Sequence, residues 1–271
     1  MRITVGDHSI EFDLNLGGRA TSWRVGDLEL LGARDEHPVS HGMYPMAPWA
    51  GRLRENSCEI DGALNEFPLN LGKWAIHGTV FMNQVEVVEQ TLDEVEFRYV
   101  SEGPFDCVVE MGWQLSDSAL RTTLQLSTSA IALPAVIGWH PWFNRKLERG
   151  FAAEWHLADA RVAVRAEDYL PSGELVDLAD FDGAFDDAFF VPSREAVISW
   201  PGALNMKIVN SHPWFVVYDE PESFALIEPQ TGPPNGSNNP ITGDRITVRV
   251  GQPLTMVTDW IITRVKPVDQ V

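Results

Sequence analysis

The stretch Phe224-Ala-Leu-Ile-Glu-Pro-Gln-Thr-Gly-Pro-Pro-Asn-Gly-Ser-Asn-Asn-Pro240 joins a short apolar run to a long series of turn-forming residues. Phe224 to Ile227 has the length and composition of a buried β-strand. Pro229 has no backbone N–H to donate to a sheet, and the residue before a proline is restricted to extended geometry. The pattern therefore predicts a strand that ends at Glu228, with this carboxylate at the mouth of the strand.

Glu228 is a candidate acid or base because its apolar neighbours disfavour the charged form of a carboxyl group and so raise its pKa. The alternative interpretation is a glutamate that is capped by the backbone amides of its own loop. The stretch alone leaves both interpretations open.

The rest of the chain has the pattern of an all-β protein. Two-residue turn signals at Gly6-Asp7, Gly26-Asp27, Asp61-Gly62 and Asp117-Ser118 predict successive hairpins. Polar and apolar residues alternate over much of several runs, and helical spacing is rare. The predicted strands are Val85–Gln90, Glu94–Val100, Val108–Gln114, Leu120–Ser127, Arg161–Val164, Ala196–Trp200, Leu204–Val209, Phe215–Tyr218, Ile246–Val250 and Met256–Ile262. We expect one domain over residues 1–271, a large antiparallel β-sandwich.

The composition limits the kinds of partner. The 271 residues include 20 Lys and Arg against 39 Asp and Glu, a formal net charge of -19. Binding to nucleic acid or to an anionic membrane needs clustered cations, so the charge predicts neither partner and favours a neutral small molecule. Cys58 and Cys107 lie far apart without metal-like spacing, which predicts reduced thiols. The N-terminus lacks the apolar core of a signal peptide, and we expect a soluble, cytoplasmic protein.

Two polar stretches in the first half of the chain contain candidate ligand-binding residues. Arg52 follows Gly51 in Met43-Tyr-Pro-Met-Ala-Pro-Trp-Ala-Gly-Arg-Leu-Arg-Glu-Asn56, and its guanidinium suits the hydroxyl oxygens of a ligand. The alternative for Arg52 is a pair with a surface carboxylate. His77 lies between an apolar dipeptide and a glycine in Leu71-Gly-Lys-Trp-Ala-Ile-His-Gly-Thr-Val80. The alternative for His77 is a hydrogen-bonded structural histidine.

His140 repeats the pattern of Glu228 in Ile137-Gly-Trp-His-Pro-Trp-Phe-Asn144, where an apolar run leads to one ionisable residue before a proline. If the two strand ends converge, His140 and Glu228 supply a proton donor and a proton acceptor across a small ligand. Trp139 and Trp142 are candidate walls for the apolar face of a sugar. The alternative is a histidine packed in an aromatic cluster, and His212-Pro-Trp-Phe215 is a near copy of the motif in a predicted exposed turn.

Other kinds of site are not indicated by the sequence. His37 and His41 are four residues apart, but Pro38 breaks any helix that would align them as zinc ligands. The sequence contains no G-x-S-x-G elbow, phosphate-binding glycine loop or dinucleotide fingerprint.

Five fragments, taken together and in order, resemble the aldose 1-epimerase (galactose mutarotase) family. They are Pro48-Trp-Ala-Gly-Arg-Leu53, Ala75-Ile-His-Gly78, Gly138-Trp-His-Pro-Trp-Phe143, Phe185-Asp-Asp-Ala-Phe189 and Glu228-Pro-Gln-Thr-Gly-Pro-Pro234. The resemblance covers most of the chain and implies a β-sandwich of the galactose mutarotase type, acting on free sugars without a metal or cofactor. We expect a small-molecule sugar as the substrate and a monomer or homodimer as the assembly.

The resemblance also implies a role for each motif residue. Glu228 would be the general base, His140 the general acid, and Arg52, His77 and Asp186 the sugar-binding residues. Asp187 competes with Asp186 because the family motif often has two adjacent polar residues here. Asn235-Gly236 stands where the family has an acidic residue and alanine, so this part of the loop departs from the pattern.

Three alternative functions remain at this stage. Relatives in the family act on hexose 6-phosphates with additional arginines, whereas Arg52, Arg54 and Lys73 are the obvious cations near these motifs. A sugar-binding β-sandwich without chemistry would need hydroxyl partners but no facing acid and base. A glycoside hydrolase would use Asp186 and Glu228 as a carboxylate pair, which would leave His140 without a required role.

Overall fold

The computed structural model describes residues 1–166, 168–180 and 184–265. Strands account for 54% of the chain and helix for 6%, so the predicted all-β class is confirmed. The helical residues form short 3-10 turns at Pro38–Ser40, Arg54–Asn56, Val80–Met82, Gly103–Phe105 and Leu178–Asp180.

The strands of the described residues are numbered in chain order. They are β1 (Arg2–Val5), β2 (His8–Asp13), β3 (Arg19–Val25), β4 (Leu28–Glu29), β5 (Met43–Met46), β6 (Ser57–Ile60), β7 (Ala63–Glu66), β8 (Glu86–Gln90), β9 (Glu94–Ser101), β10 (Cys107–Leu115), β11 (Ala119–Ser127), β12 (Leu133–Pro134), β13 (Gly138–Pro141), β14 (Phe143–Asn144), β15 (Glu154–Leu157), β16 (Arg161–Arg165), β17 (Pro171–Asp177), β18 (Asp186–Phe190), β19 (Glu195–Trp200), β20 (Leu204–Asn210), β21 (Trp214–Tyr218), β22 (Phe224–Gln230), β23 (Thr247–Val248) and β24 (Leu254–Arg264).

Two large antiparallel sheets face each other. The larger sheet has the strand order β1-β2-β3-β5-β13-β22-β21-β18-β16-β17, with β4 beside β3 and β14 beside β22. The smaller sheet has the order β15-β19-β20-β24-β11-β10-β9-β8, and two ribbons, β12-β23 and β6-β7, complete the pairing. The predicted antiparallel β-sandwich is therefore confirmed.

Alternating side chains build the core between the sheets. On β10, Val109, Met111 and Trp113 are buried while Glu110 faces solvent, as expected for a half-buried strand. The inward side chains join residues of the larger sheet, such as Ile227, in one hydrophobic cluster. Burial of this apolar surface is the main driving force that holds the sheets together.

The local predictions agree well with the structure. The four turn signals connect β1 to β2, β3 to β4, β6 to β7 and β10 to β11. All ten predicted strands are present, with ends that differ by at most two residues from those observed. Period-two alternation and turn residues are local properties, which explains their success.

The predicted end of the strand at Glu228 is wrong, because β22 continues through Pro229 to Gln230. Pro229 lies opposite Phe215 of β21, so pairing persists on that side of β22. On the other side, β22 pairs with β14 at Phe224 and Ala225 and with β13 at Gln230. Pro229 lies in the gap between those pairs, where a missing N–H is tolerated. Glu228 is thus held within a paired strand and not at its mouth.

β22 is buried on both faces, which accounts for its continuous apolar sequence. Ala225 and Ile227 contribute to the core between the sheets. Leu226 belongs to a second cluster on the opposite face, together with Tyr44 and Trp142. This outer face of the larger sheet carries Glu228 and is covered by loops.

Cys58 and Cys107 are free and buried. Burial raises the pKa of Cys58 to about 11 and that of Cys107 to about 12. Both thiols are therefore protonated near neutral pH. Among the described residues, no helix has the length and apolar character needed to cross a membrane.

Candidate active site

A cavity of about 480 Å³ lies on the outer face of the larger sheet. Its lining includes all five residues that the sequence singles out, namely Arg52, His77, His140, Asp186 and Glu228. These residues come from two loops and three strands, so the fold brings together motifs that are distant in the sequence.

His140 and Glu228 lie on neighbouring strands and contact each other. β13 and β22 pair antiparallel at Gly138 and Gln230, and two residues further along this register His140 comes opposite Glu228. His140 Nε2 is 3.3 Å from Glu228 Oε1, and the two side chains are 6% and 4% exposed. The structure therefore joins a buried imidazole and a buried carboxyl group in one contact.

Small side chains continue the same row of the sheet beyond Glu228. Val216 of β21 lies opposite Glu228, Ala188 of β18 lies opposite Val216, and Ala163 of β16 lies opposite Ala188. All three line the cavity. Their short side chains leave space directly beside the acid–base pair, so they form an apolar floor for a ligand.

The surroundings of Glu228 favour its protonated form. Burial raises the pKa of Glu228 well above its ordinary value, and the negative charge of Asp186 adds to this effect. Gln230 Nε2 donates a 3.2 Å hydrogen bond to Glu228 Oε2, which opposes the rise. The protonated form of Glu228 is thus more favoured here than in an exposed glutamate, as a group that exchanges a proton with a ligand requires.

The surroundings of His140 favour its neutral form. Its ring stacks on Tyr44 at a centroid distance of 4.6 Å and an interplanar angle of 12°, and on Trp142 at 5.8 Å and 28°. Burial lowers the pKa of His140 to about 3, and the positive charge of Arg19 contributes. His140 Nδ1 has no hydrogen-bond partner among the described residues.

Only one of the two predicted tryptophan walls faces the cavity. Trp142 lines it, two residues after His140 along the chain. Trp139 is fully buried on the opposite face of the strand, where its ring meets Trp113 at 4.7 Å. The prediction that Trp139 forms a cavity wall is therefore wrong, because successive residues of a strand point to opposite faces.

His77 presents a fixed hydrogen-bond donor. The Gly51 N–H donates to His77 Nδ1 over 3.2 Å, so a neutral His77 carries its proton on Nε2. Burial lowers the pKa of His77 well below its ordinary value, and His140 and Arg52 contribute. Its ring meets the His140 ring edge to face at 4.7 Å and 77°.

The backbone around His77 is unusual. His77 has a φ of 60° and Gly78 a φ of 75°. A Cβ at Gly78 would overlap the carbonyl group of Ala47 and lie 2.8 Å from the Pro48 nitrogen. Glycine at this position therefore allows the two backbone segments to approach and so positions the His77 ring.

Arg52 and Asp186 form an ion pair inside the cavity. Arg52 Nη1 is 3.6 Å from Asp186 Oδ2, and Arg165 Nη1 is 3.2 Å from the same oxygen. Burial raises the pKa of Asp186, while the two guanidinium groups oppose the rise. Asp187 instead lies 3.7 Å from Arg165 Nε and accepts a hydrogen bond from the Asp186 N–H. Of the two competing aspartates, Asp186 is the one that contacts Arg52.

The loop after β22 supports one side of the cavity. Pro234 lines the cavity beside Gly51, where a Cβ would lie 2.6 Å from Pro234 Cβ. Asn235 Oδ1 accepts hydrogen bonds from the Arg54 N–H and from Asn238 Nδ2, at 3.0 and 2.8 Å. In this chain Asn235 therefore holds the loop against the segment that carries Arg52.

Gln230 and Arg165 of the cavity lining, and Tyr44 behind His140, are not predicted from the sequence. Gln230 follows Glu228 by two residues on the same strand face, a signal that the sequence offers once β22 is extended past Pro229. Arg165 directly follows the predicted strand Arg161–Val164 and pairs with Asp186. Tyr44 lies opposite His140 in the pairing of β5 with β13, which no local pattern indicates.

The other histidines with site-like sequences lie elsewhere or form different contacts. His212 lies in the turn between β20 and β21, where its Nδ1 is 3.0 Å from Ser211 Oγ. His41 Nδ1 is 3.1 Å from the His37 carbonyl oxygen. Within the described residues, no group of three or more His, Cys, Asp or Glu side chains could hold a metal ion.

Comparisons with known proteins give one family and one fold. A family model described as aldose 1-epimerase matches residues 12–259. No curated protein matches significantly.

Several solved structures have the same fold. A GalM/aldose epimerase homologue from C. elegans has a TM-score of 0.83 at 15% identity, covering 98% of this chain and 99% of that chain. A galactose mutarotase-like protein from Lactobacillus casei gives 0.79 at 14% identity, with 97% and 99% covered. A galactose 1-epimerase from Lactobacillus acidophilus gives 0.74 at 15% identity, with 96% and 92% covered. At these identities the likeness shows the fold.

Proposed function

The chain belongs to the aldose 1-epimerase family, and from that premise we propose that it interconverts the α and β anomers of a free aldose. The observation that carries the proposal is the 3.3 Å contact between His140 Nε2 and Glu228 Oε1 in the buried part of the cavity. The C1 hydroxyl oxygen and the ring oxygen of an aldose are bonded to the same carbon. Two side chains that lie next to each other can therefore reach both oxygens at once.

The proposed reaction uses one base and one acid. Glu228 accepts the proton of the C1 hydroxyl while His140 donates a proton to the ring oxygen. The bond between C1 and the ring oxygen breaks, and C1 becomes the aldehyde carbon. Rotation about the C1–C2 bond and reclosure, with both proton transfers reversed, give the other anomer. Each positioned acid or base contributes roughly a hundredfold to ten-thousandfold.

One proton shared by the pair is enough for this cycle. Before a sugar binds, burial favours the neutral forms of both residues, so the proton resides on Glu228. A sugar hydroxyl that donates to the carboxylate favours its ionised form. The proton then passes to His140 over the 3.3 Å contact, which prepares the acid and the base together.

His77, Arg52 and Asp186 supply the binding contacts in this proposal. His77 is neutral and offers its Nε2–H to a sugar oxygen, as its bond with the Gly51 N–H requires. Arg52 and Asp186 hold each other at 3.6 Å, so the donors of one and the acceptors of the other lie side by side. Neighbouring sugar hydroxyls need such alternating partners, because each donates one hydrogen bond and accepts others.

The charges of the cavity favour a neutral aldose over a hexose 6-phosphate. Besides its histidines, the described lining carries four carboxyl groups and three guanidinium groups, those of Asp35, Asp186, Asp187, Glu228, Arg34, Arg52 and Arg165. Arg52 and Arg165 are both engaged by Asp186. A phosphate would compete with these carboxylates for the same guanidinium groups and would meet their negative charge.

The other two alternatives fit the observations less well. A binding site without chemistry gains nothing from a buried imidazole against a buried carboxyl group, since burial of such groups costs free energy. In a glycoside hydrolase, Asp186 would act beside Glu228, but two guanidinium groups hold Asp186. His140, the residue that contacts Glu228, would have no role in that reaction.

Anomer exchange measured by NMR across free and phosphorylated aldoses tests the proposal. We expect the purified protein to accelerate the exchange of glucose or galactose, and to act less on glucose 6-phosphate. No acceleration with any aldose of the panel would refute the proposed reaction. A large preference for the phosphorylated sugar, weakened by salt, would identify the 6-phosphate alternative.

A further inference from the structure

Arg19 is a buried cation outside the cavity lining. The residue is fully buried in β3, where Nη1 donates to the His41 carbonyl oxygen over 2.6 Å and Nη2 to that of Phe81 over 3.2 Å. In the described part of the chain, Arg19 forms no ion pair with a carboxylate, and its Nε has no hydrogen-bond partner. A buried charge without a counter-ion is costly, so its retention needs a reason.

The strand register places Arg19 at one end of the row that carries the acid–base pair. β3 and β5 pair at Ala20 and Met43, so Arg19 comes opposite Tyr44. Tyr44 in turn pairs with His140 in β13. The row therefore runs from the guanidinium through the phenol ring and the imidazole to Glu228.

The contacts along this row are close. Arg19 Cζ lies 4.5 Å from the centroid of the Tyr44 ring. The Tyr44 ring lies 4.6 Å from the His140 ring at an angle of 12°. Tyr44 is itself fixed, because its hydroxyl donates to the Val39 carbonyl oxygen over 3.0 Å. The guanidinium is thus held behind the imidazole by a single rigid ring.

We propose that Arg19 is a positioning residue for the His140–Glu228 pair, which acts through Tyr44 to fix the plane of the imidazole and keeps a permanent positive charge behind it. The effect of Arg19 on the reaction rests on the proposed function, whereas its effect on the titration of His140 and Glu228 does not. Burial lowers the pKa of Arg19 only to about 10, so the charge persists at neutral pH.

The charge has a defined direction of effect. The two separations of 4.5 and 4.6 Å place the guanidinium carbon at most about 9 Å from the imidazole centroid. A nearby positive charge disfavours the binding of each proton to the His140–Glu228 pair. It therefore lowers both apparent pKa values of the pair. At that distance, with the effective dielectric constant of a protein site, the expected size is about one pH unit.

Replacement of Arg19 leaves the identity of the other ionisable groups that face His140 unchanged. They are Glu228 on β22, His77 in its loop and Tyr44 on β5, with Arg52 and Asp186 across the cavity. A change in titration that appears in a neutral variant of Arg19 and not in Arg19→Lys therefore reports the charge at Arg19.

The test compares Arg19→Met, which removes the charge, with Arg19→Lys, which keeps it. The ¹⁵N NMR shifts of the His140 ring are followed against pH in both variants and in the wild type, with the pH profile of kcat/KM measured in parallel. We expect both apparent pKa values to rise by about one unit in Arg19→Met, with little change in Arg19→Lys. A folded Arg19→Met variant with an unshifted titration overturns the proposal.

A second neutral variant and a measurement of kcat complete the test. If Arg19→Met does not fold, Arg19→Gln removes the charge while its amide still donates to a carbonyl oxygen. An ammonium group cannot lie flat on the Tyr44 ring, so Arg19→Lys should lower kcat on the order of tenfold with KM unchanged. Unchanged kcat in that variant overturns the positioning role. A wild type without mutarotation refutes the proposed function, while the NMR titration still tests Arg19.

Discussion

Replacement of Gly78 by alanine perturbs the backbone that positions His77. Gly78 has a φ of 75°, and its Cα faces the carbonyl group of Ala47. The two residues form a parallel bridge between the loops that carry Arg52 and His77. An added Cβ overlaps that carbonyl group and lies 2.8 Å from the Pro48 nitrogen, so the backbone must move.

The expected cost has two parts. An alanine in the left-handed region costs about 1–2 kcal/mol. Overpacking of a close contact adds about 1–3 kcal/mol, and the lower entropy of the unfolded alanine chain offsets about 0.4–1 kcal/mol. We therefore expect Gly78→Ala to lower the free energy of unfolding by about 3 kcal/mol.

The assay is chemical denaturation, with Gly72→Ala as the matched control. Gly72 has a φ of 56°, but a Cβ there would meet nothing within 4 Å, so no overpacking cost applies. The left-handed penalty less the same entropy offset leaves a loss of about 1 kcal/mol. Because the Gly51 N–H must stay on His77 Nδ1, Gly78→Ala should also impair sugar binding. Equal destabilisation by the two substitutions would refute the reasoning.

Two further predictions concern the charged residues of the cavity. Arg52→Gln removes one of the two guanidinium groups on Asp186, and we expect kcat/KM for anomer exchange to fall roughly tenfold to a hundredfold, mainly through KM; an unchanged KM would contradict this. Glu228→Gln should change the pH dependence of stability. Burial raises the pKa of Glu228 in the folded state, so its contribution is fully present below the ordinary glutamate pKa and is lost as pH rises through the raised value. Unfolding measured at several pH values should therefore show wild type losing stability relative to Glu228→Gln as pH rises, and parallel curves would exclude the raised pKa.

Much of the fold is predictable because its signals are local. The alternation of β10 and the turn at Asp117-Ser118 depend on neighbours in the sequence, and both are observed. The end of β22 was mispredicted, since pairing with β21 outweighs the effect of Pro229. One domain over residues 1–271 stays a prediction.

Some residues of the candidate site are also predictable from local sequence, and others are not. The strand period alone separates Trp139 from Trp142 and points to Gln230, because i and i+2 share a face. Tyr44 and Arg19 depend on the register between strands that are distant along the chain, which no short pattern encodes. The matching pre-proline positions of His140 and Glu228 suggest them as partners, the resemblance to a family implies their roles, and the antiparallel pairing shows their contact.

The central claim is that Glu228 transfers a proton during anomer exchange. Polarimetry of freshly dissolved α-glucose or α-galactose measures that exchange directly in wild type, in Glu228→Gln and in the control Glu110→Gln, which makes the same change on the exposed face of the smaller sheet. We predict that Glu228→Gln loses about a hundredfold to ten-thousandfold of the catalysed rate, with sugar binding retained by NMR, and that Glu110→Gln keeps the full rate. A wild-type rate in Glu228→Gln would contradict the account.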